Sequence, residues 1–352
     1  MFFSKMTVII IKANYYFFGC TMNFFLISDR AKVSVSDKTS SILHILVCMT
    51  IIYILLMIFG LLGNILTILV VWLRPHMRSC TYLYLSSMAV SDILILLLLP
   101  LDLYKLWRPR PWPLGDLACK LTMFLSECCT FCTILHITFL SLERYLVVCW
   151  PFTAKTLVTQ RRTRTIIGCL WLGAAVSAAP VLVMVGVEEV GGEDPGVDTR
   201  ECRCTHYASS SGLLSAMMIL SNMYFLVPLC ILGLVYSLIG RTLWLRSHNN
   251  RRDQSQRHTI RMLGVIVLAF VLCWLPFHVG RTILTLSDGQ ETNYFNLVSS
   301  VLYYLSAALN PLLYNVVSTR YRHAVRSIVG SFQEKKQEKG KTKKQLRCVF
   351  PL

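Results

Sequence analysis

Seven stretches of the chain read as almost uninterrupted apolar sequence. Residues 45–71, 165–187, 207–240, 262–280 and 292–319 contain no Asp, Glu, Lys or Arg. The stretch 82–101 contains only Asp92, and 121–142 only Glu127. A helix crossing the hydrocarbon layer needs about 20 such residues, and only helices or closed barrels satisfy their backbone polar groups there. These runs are too long for barrel strands. The pattern predicts an all-α membrane protein, a seven-transmembrane helix bundle occupying 42–318. Its spans fall at about 42–72, 80–106, 117–149, 164–187, 209–243, 258–285 and 292–317. A poorly ordered extracellular segment at 1–41 precedes it. A short amphipathic helix 8 is expected at 319–330, then a basic cytoplasmic tail at 331–352.

Composition agrees. Of 352 residues, 55% are hydrophobic and 15% charged, against about 25% charged in soluble domains. A soluble enzyme and a coiled coil are excluded. The net charge of +17 raises nucleic acid as a partner, but its distribution points elsewhere. The segments after spans one, three, five and seven hold 22 of the 35 basic residues and three acids. The opposite loop, 188–212, carries six acids against Arg200 and Arg203. The excess of Lys and Arg in the first set places it in the cytoplasm. The amino terminus is therefore expected outside; the localisation expected is the plasma membrane, multi-pass. The basic excess then faces anionic membrane lipid and cytosolic partners, and no nucleic acid is expected.

The run 6–11 is too short for a signal peptide, and no Asn-x-Ser/Thr sequon occurs. Seven of the fourteen cysteines (48, 128, 129, 132, 169, 230 and 273) lie inside spans and read as small apolar fillers. No Cys/His spacing suggests a metal. On the oxidising side stand Cys119 and the pair Cys202 and Cys204, with Cys20 in the leader; spacing alone leaves the partner of Cys119 open.

Polar groups inside hydrocarbon cost a few kcal/mol and are candidates for function. Asn64, Asp92 and Asn310-Pro311 are such groups, and a buried carboxylate with hydroxyls around it suits either interhelical bonding or a cation. Glu143-Arg144-Tyr145 ends span three, and Pro228, Pro276 and Pro311 interrupt three helices, the second beside Trp274. A proline removes a backbone bond and bends a helix, which suits spans that pivot.

Together these residues resemble a rhodopsin-like (class A) G-protein-coupled receptor across 42–330. The marks are Gly63-Asn64, Leu85 to Asp92, Glu143-Arg-Tyr145, Trp171, Pro228 with Tyr236, Cys273-Trp-Leu-Pro276 and Asn310-Pro-Leu-Leu-Tyr314. Further runs resemble the ghrelin (growth hormone secretagogue) and motilin receptor subfamily: Pro100-Leu-Asp-Leu-Tyr-Lys-Leu-Trp107, Arg110-Pro-Trp112, Val185-Gly-Val-Glu188 and Leu275-Pro-Phe-His-Val-Gly-Arg281. The run ending at Trp107 and Leu157-Val-Thr-Gln-Arg-Arg162 lean toward the motilin branch. Tyr82 departs from the family, which usually has Asn there. No acid stands at the inner end of span six, where Gln256 lies.

The resemblance implies a receptor for a gut or brain peptide hormone, not an enzyme. Its partners would be a heterotrimeric G protein of the Gq type, acting through phospholipase C and calcium, and arrestin. It implies a Cys119–Cys202 disulfide, because Glu201-Cys202-Arg203 matches the subfamily's loop. Arg144 is expected to pair with Glu143 at rest and to turn toward Tyr236 when active, with Tyr145 beside the G-protein surface. Trp274, Ile134, Pro228 and Phe270 would form the layer that repacks, and Asn310, Pro311 and Tyr314 the part of span seven that swings inward. Asp92, Thr133, Ser306 and Asn310 form a candidate site for an allosteric sodium ion; no other metal or cofactor is expected.

Counting places the ligand pocket. At about 1.5 Å per residue, Glu127 lies roughly 25 Å outward of Arg144. Asp102 lies ten residues beyond Asp92, and Arg281 two turns beyond Trp274 on the same face. These three charges ring the outer cavity with Trp107 above, and Phe277, Met123 and Tyr303 supply apolar lining. The subfamily's ligands carry a positive amine and a bulky apolar group, for which Asp102 or Glu127 and Phe277 are the expected partners. An ion-coupled transporter would use the same carboxylates, but no internal repeat supports it. A membrane enzyme would need a catalytic cluster, and neither His-Glu-x-x-His nor Gly-x-Ser-x-Gly occurs.

Overall fold

The computed structural model describes residues 35–77, 79–108, 111–189, 199–245, 251–286, 292–318, 321–328 and 330. Side chains are described at these positions except 35–42, 76, 251–256, 258, 259, 262, 277, 279–286, 292–296 and 317. The leader with Cys20, the loop 190–198 and the tail from 331 lie outside the described residues. The chain divides into two compact units, Met1–Ile51 and Ile52–Leu352. In the first, the described part is helical from Val35, and Thr50 returns its hydroxyl to the Leu46 carbonyl at 2.7 Å.

Helix α1 (Val35–Leu73) continues into the second unit. There follow α2 (Cys80–Trp107), α3 (Gly115–Cys149), the short α4 (Pro151–Leu157), α5 (Gln160–Ala178) and the one-turn α6 (Val181–Met184). A hairpin of β1 (Val185–Glu189) and β2 (Arg200–Cys204) comes next, with Val187 opposite Cys202. The short α7 (His206–Ser210), α8 (Leu213–Leu245), α9 (Arg251–Leu286) and α10 (Thr292–Val317) complete the set, and residues 321–328 form α11.

Among the described residues, six helical segments are long and apolar enough to cross a membrane, and α9 carries a shorter apolar stretch, Leu263–Pro276. The burial is that of a protein dissolved in lipid. Phe59, Leu172, Val176, Ile219, Leu234 and Leu312 are exposed, whereas Asn64, Ser91, Asp92, Thr133, His136 and Asn310 are buried. Apolar groups meet the solvent they prefer, and polar groups find one another inside.

Helices α1 and α9 begin earlier than the sequence reading, at Val35 and Arg251 rather than 42 and 258, and two further differences have a local cause. Span four does not run to 187: α5 ends at Ala178, the chain turns at Pro180, and it is a strand from Val185. Val181, Met184 and Val185 are buried beside Cys119 and Cys202 in one cluster, so their apolarity serves the hairpin's seat rather than lipid. Span five does not begin at 209 but at Leu213, because Gly212 takes φ +75°, a conformation that breaks a helix and that glycine adopts without cost. Pro228, Pro276 and Pro311 lie inside continuous helices rather than interrupting them, and Pro100 does the same in α2.

Close approach fixes α1 against its neighbours. A Cβ built on Gly60 would sit 2.6 Å from the Leu96 Cδ1, and one on Gly63 only 2.8 Å from the Pro311 Cβ. Glycine at both positions lets helices meet at backbone distance.

Candidate ligand mouth and switch core

The outer mouth is framed by the hairpin. The Cys119–Cys202 disulfide, with Cα atoms 5.7 Å apart, ties β2 to the start of α3. Val187 N–H donates to Asp116 Oδ1 at 3.0 Å, and Trp112 N–H donates to the Arg200 carbonyl at 2.9 Å. Beneath this frame Asp102 accepts the hydroxyl of Tyr304. Lys105 Nζ stands 3.9 Å from Asp102 Oδ1 and 5.1 Å from the centre of the Trp112 ring. Trp107 is exposed, Glu127 and Met123 are half-buried, and Met123 packs on the cluster around the disulfide. Tyr303 is buried: its hydroxyl shares a 2.8 Å hydrogen bond with Ser126, and its ring meets the Trp274 ring edge-on at 5.4 Å. It therefore links α3, α9 and α10 below the mouth. The side chains of Phe277 and Arg281 lie outside the described residues, so the ring of three charges is described only at Asp102 and Glu127.

Below Tyr303 lies an aromatic layer. Phe225 stacks on His278 with centroids 4.5 Å apart, and Phe270 lies 6.1 Å from Phe225 and 5.9 Å from Trp274. Trp274 and His278 are 6.1 Å apart. Ile134 and Pro228 are buried. Phe225 and His278 were not singled out in the sequence; the available signal was their place three residues before Pro228 and one turn beyond Trp274.

A small cavity follows, lined by Thr133, Ile137, Phe270, Trp274, Ser306 and Asn310 among others. Asn310 Nδ2 donates to Asp92 Oδ2 at 2.8 Å, and Ser91 and Thr133 share a 3.0 Å hydroxyl bond. Asn64 Nδ2 donates to the Ala307 carbonyl at 3.0 Å. Thr133, Ser306 and Asn310 thus line one small cavity, and Asp92 is joined to it through Asn310.

The inner end differs from expectation. Among the described residues no ion pair within 4.0 Å joins Glu143 to Arg144. Glu143 Oε1 instead accepts from the Tyr84 hydroxyl at 3.0 Å and from Thr163 at 3.2 Å, while Arg144 Nη2 donates to Thr81 Oγ1. Neutral hydroxyls reach a carboxylate without the geometric demands of a guanidinium on the adjacent residue, which leaves the same helix in a different direction. Tyr145 accepts the indole N–H of Trp150 at 3.4 Å. Tyr236 packs on the cluster of Val148, Val235 and Ile239. Where an acid at Gln256 would have locked α9, Arg257 next to it donates to the Leu243 carbonyl of α8. Tyr314 is buried and meets Tyr321 of α11 edge-on at 6.2 Å. The Tyr321 hydroxyl lies 2.9 Å from that of Thr67, and burial pushes its pKa up, so it stays a neutral hydrogen-bonding group.

Polar and aromatic contacts thus recur at successive levels, from Asp102 at the outer mouth to Glu143 and Arg144 at the inner face. A profile described as "7 transmembrane receptor (rhodopsin family)" matches residues 63–314. The growth hormone secretagogue receptor type 1 of Sus scrofa is 50% identical over 288 residues, 78% of either chain. The motilin receptor of Homo sapiens is 40% identical over 334 residues, covering 79% of this chain and 80% of its own. The neurotensin receptor type 1 of Rattus norvegicus is 32% identical over 334 residues, covering 84% and 78%. The greater identity to the growth hormone secretagogue receptor runs against the motilin lean of two short runs. The chain belongs to the rhodopsin family of seven-transmembrane receptors, within the ghrelin and motilin receptor group, and is a receptor and not an enzyme.

Proposed function

We propose that this chain is a plasma-membrane receptor, amino terminus outside, for a peptide hormone of the growth hormone secretagogue and motilin type. The observation that carries the reading is the succession of contacts at Asp102–Tyr304, Ser126–Tyr303–Trp274, Asp92–Asn310 and Tyr314–Tyr321, level by level through the bundle. A ligand shifts such a protein only by binding one arrangement better than the other. Contacts at Asp102, Glu127, Met123, Trp107, Phe277 and Arg281 bias the aromatic layer of Phe225, Phe270, Trp274 and His278. The inner ends of α9 and α10 follow, Tyr314 moving with α10. Arg144 leaves Thr81 for Tyr236, and the inner face admits a G protein of the Gq type, with arrestin as a later partner. The bonds of Arg144 to α2 and of Arg257 in α9 to α8 support reading this arrangement as the resting one.

The identity of 50% against 40% favours a secretagogue-type peptide. The runs around Tyr104-Lys105 and Gln160-Arg161 favour motilin as the second reading. The buried oxygens of Asp92 and Thr133, with the half-buried Ser306 hydroxyl and the Asn310 amide, suit a hard cation, which takes oxygen ligands. Sodium held there would favour the resting state by neutralising the buried carboxylate. A calcium assay in cells expressing the full chain, comparing acylated ghrelin with motilin, tests the ligand. A response to ghrelin at the lower concentration is expected, and a response to motilin alone assigns the second reading.

A further inference from the structure

The inner turn of α2 holds more than the Glu143-Arg144 pair. Thr81 takes Arg144 and Tyr84 takes Glu143. Between them Tyr82, the departure noted in span two, places its hydroxyl 3.2 Å from Ser318 Oγ. Ser318 is the joint of the inner face. Its N–H donates to the Tyr314 carbonyl at 2.9 Å, which makes it the last residue tied to α10. Its Oγ accepts the N–H of Tyr321 at 3.2 Å and its carbonyl accepts that of Arg322 at 3.1 Å, which makes it the cap of α11. The hydroxyl has one hydrogen to give and two lone pairs, so it serves the cap and the phenol together.

We propose that Tyr82 is a positioning residue for signalling: its bond to Ser318 holds the inner end of span seven and α11 against α2 and so sets the ligand-free activity of this receptor. The inference rests on the reading above that Tyr314 moves with span seven on activation. Ser318 lies one turn from Tyr314 and must move with it. A displacement of about 1 Å takes a 3.2 Å contact past hydrogen-bond reach. The cap bonds from Tyr321 and Arg322 lie within the moving piece and survive. The bond between Tyr82 and Ser318 is thus made in one state and lost in the other, the condition for a contact to shift a two-state equilibrium. Tyr84 and Thr81 restrain span three from the same turn, so the two halves of the switch share one anchor.

The full chain reconstituted in lipid nanodiscs with a Gq-type heterotrimer tests this through GTP-analogue loading. Tyr82→Phe removes one hydroxyl and should raise ligand-free loading about five-fold, the factor one net hydrogen bond is worth, while the maximum reached with peptide is unchanged. Ser318→Thr keeps a hydroxyl and should stay near wild type. Ser318→Ala should rise at least as far as Tyr82→Phe, and the double variant should add nothing to Ser318→Ala alone. A purely structural role would instead lower thermal stability and peptide-driven loading together. Unchanged ligand-free loading in Tyr82→Phe, or additive effects in the double variant, overturns the proposal. Wild type unmoved by either peptide would fault the ligand reading, while the ligand-free comparison still decides this one. Loading absent from every sample overturns both.

Discussion

Tyr84 of α2 donates its hydroxyl to Glu143 of α3 at 3.0 Å, across 59 residues of chain, and Thr163 of α5 donates to the same oxygen. The carboxylate at the inner end of span three is thus held by two neighbouring helices, and Arg144 beside it is held by a third contact, to Thr81. Hydroxyls on helices that do not carry the motif thus hold both of its charged side chains.

Removing the Tyr84 hydroxyl alone should therefore loosen Glu143. A hydrogen bond to a charged group is worth about 1.5–3 kcal/mol, so Tyr84→Phe is expected to raise ligand-free inositol phosphate output by about ten-fold or more at matched surface expression. Thr163→Val should act in the same direction. Output at the wild-type level in both variants would return the restraint to the Glu143-Arg144 pair.

Gly63 and Gly60 predict a graded pair. A Cβ at Gly63 meets the rigid ring of Pro311 at 2.8 Å, whereas one at Gly60 meets first the flexible end of Leu96. Overpacking costs about 1–3 kcal/mol. Gly63→Ala should accordingly lower the melting temperature of purified receptor more than Gly60→Ala. Gly168→Ala, with nothing within 4 Å of the new Cβ, should leave it unchanged or higher. Equal effects at all three positions would remove close approach as the reason for the glycines.

The hairpin gives a third. Losing a disulfide from a small structural unit costs about 2–5 kcal/mol, so Cys202→Ser should strip most receptor from the cell surface. Cys204→Ser, outside the bridge, should leave surface expression near wild type. Peptide mapping that links Cys119 to Cys204 would contradict the observed pairing.

The buried polar marks were legible in the sequence because they stand out against apolar neighbours: Asn64, Asp92 and Asn310 each meet a partner inside the bundle. Tyr84, Thr163, Thr81, Thr67 and Tyr321 were not. Hydroxyl residues are unremarkable in a membrane helix, since they can bond their own backbone one turn back, as Thr130 and Ser141 do. Only the packing of distant helices decides which of them reach further. The strand at Val185 was hidden because burial against α3 and burial in lipid select the same apolar residues. Nor did any local pattern announce that Tyr303 would bond its hydroxyl to Ser126 and pack its ring on Trp274.

Peptide recognition is expected to need opposite charges on α3 and α9. Glu127→Gln and Arg281→Leu should each reduce peptide potency by about 100-fold or more, the scale of a charge left unpaired in a low-dielectric site, with receptor still at the surface. The exchange Glu127→Arg with Arg281→Glu should not restore the response, because the ligand would meet the wrong sign at each helix. Radioligand displacement and calcium release on the same cells check both halves.

The most direct measurement is GTP-analogue loading onto a Gq-type heterotrimer co-reconstituted with the full chain, with and without peptide. A receptor built this way should load slowly without ligand and several-fold faster with acylated ghrelin, and Glu127→Gln should abolish the increase while leaving ligand-free loading in place. Loading that no peptide changes, or full peptide potency in Glu127→Gln at matched receptor, would contradict a pocket coupled through Trp274 to the inner face.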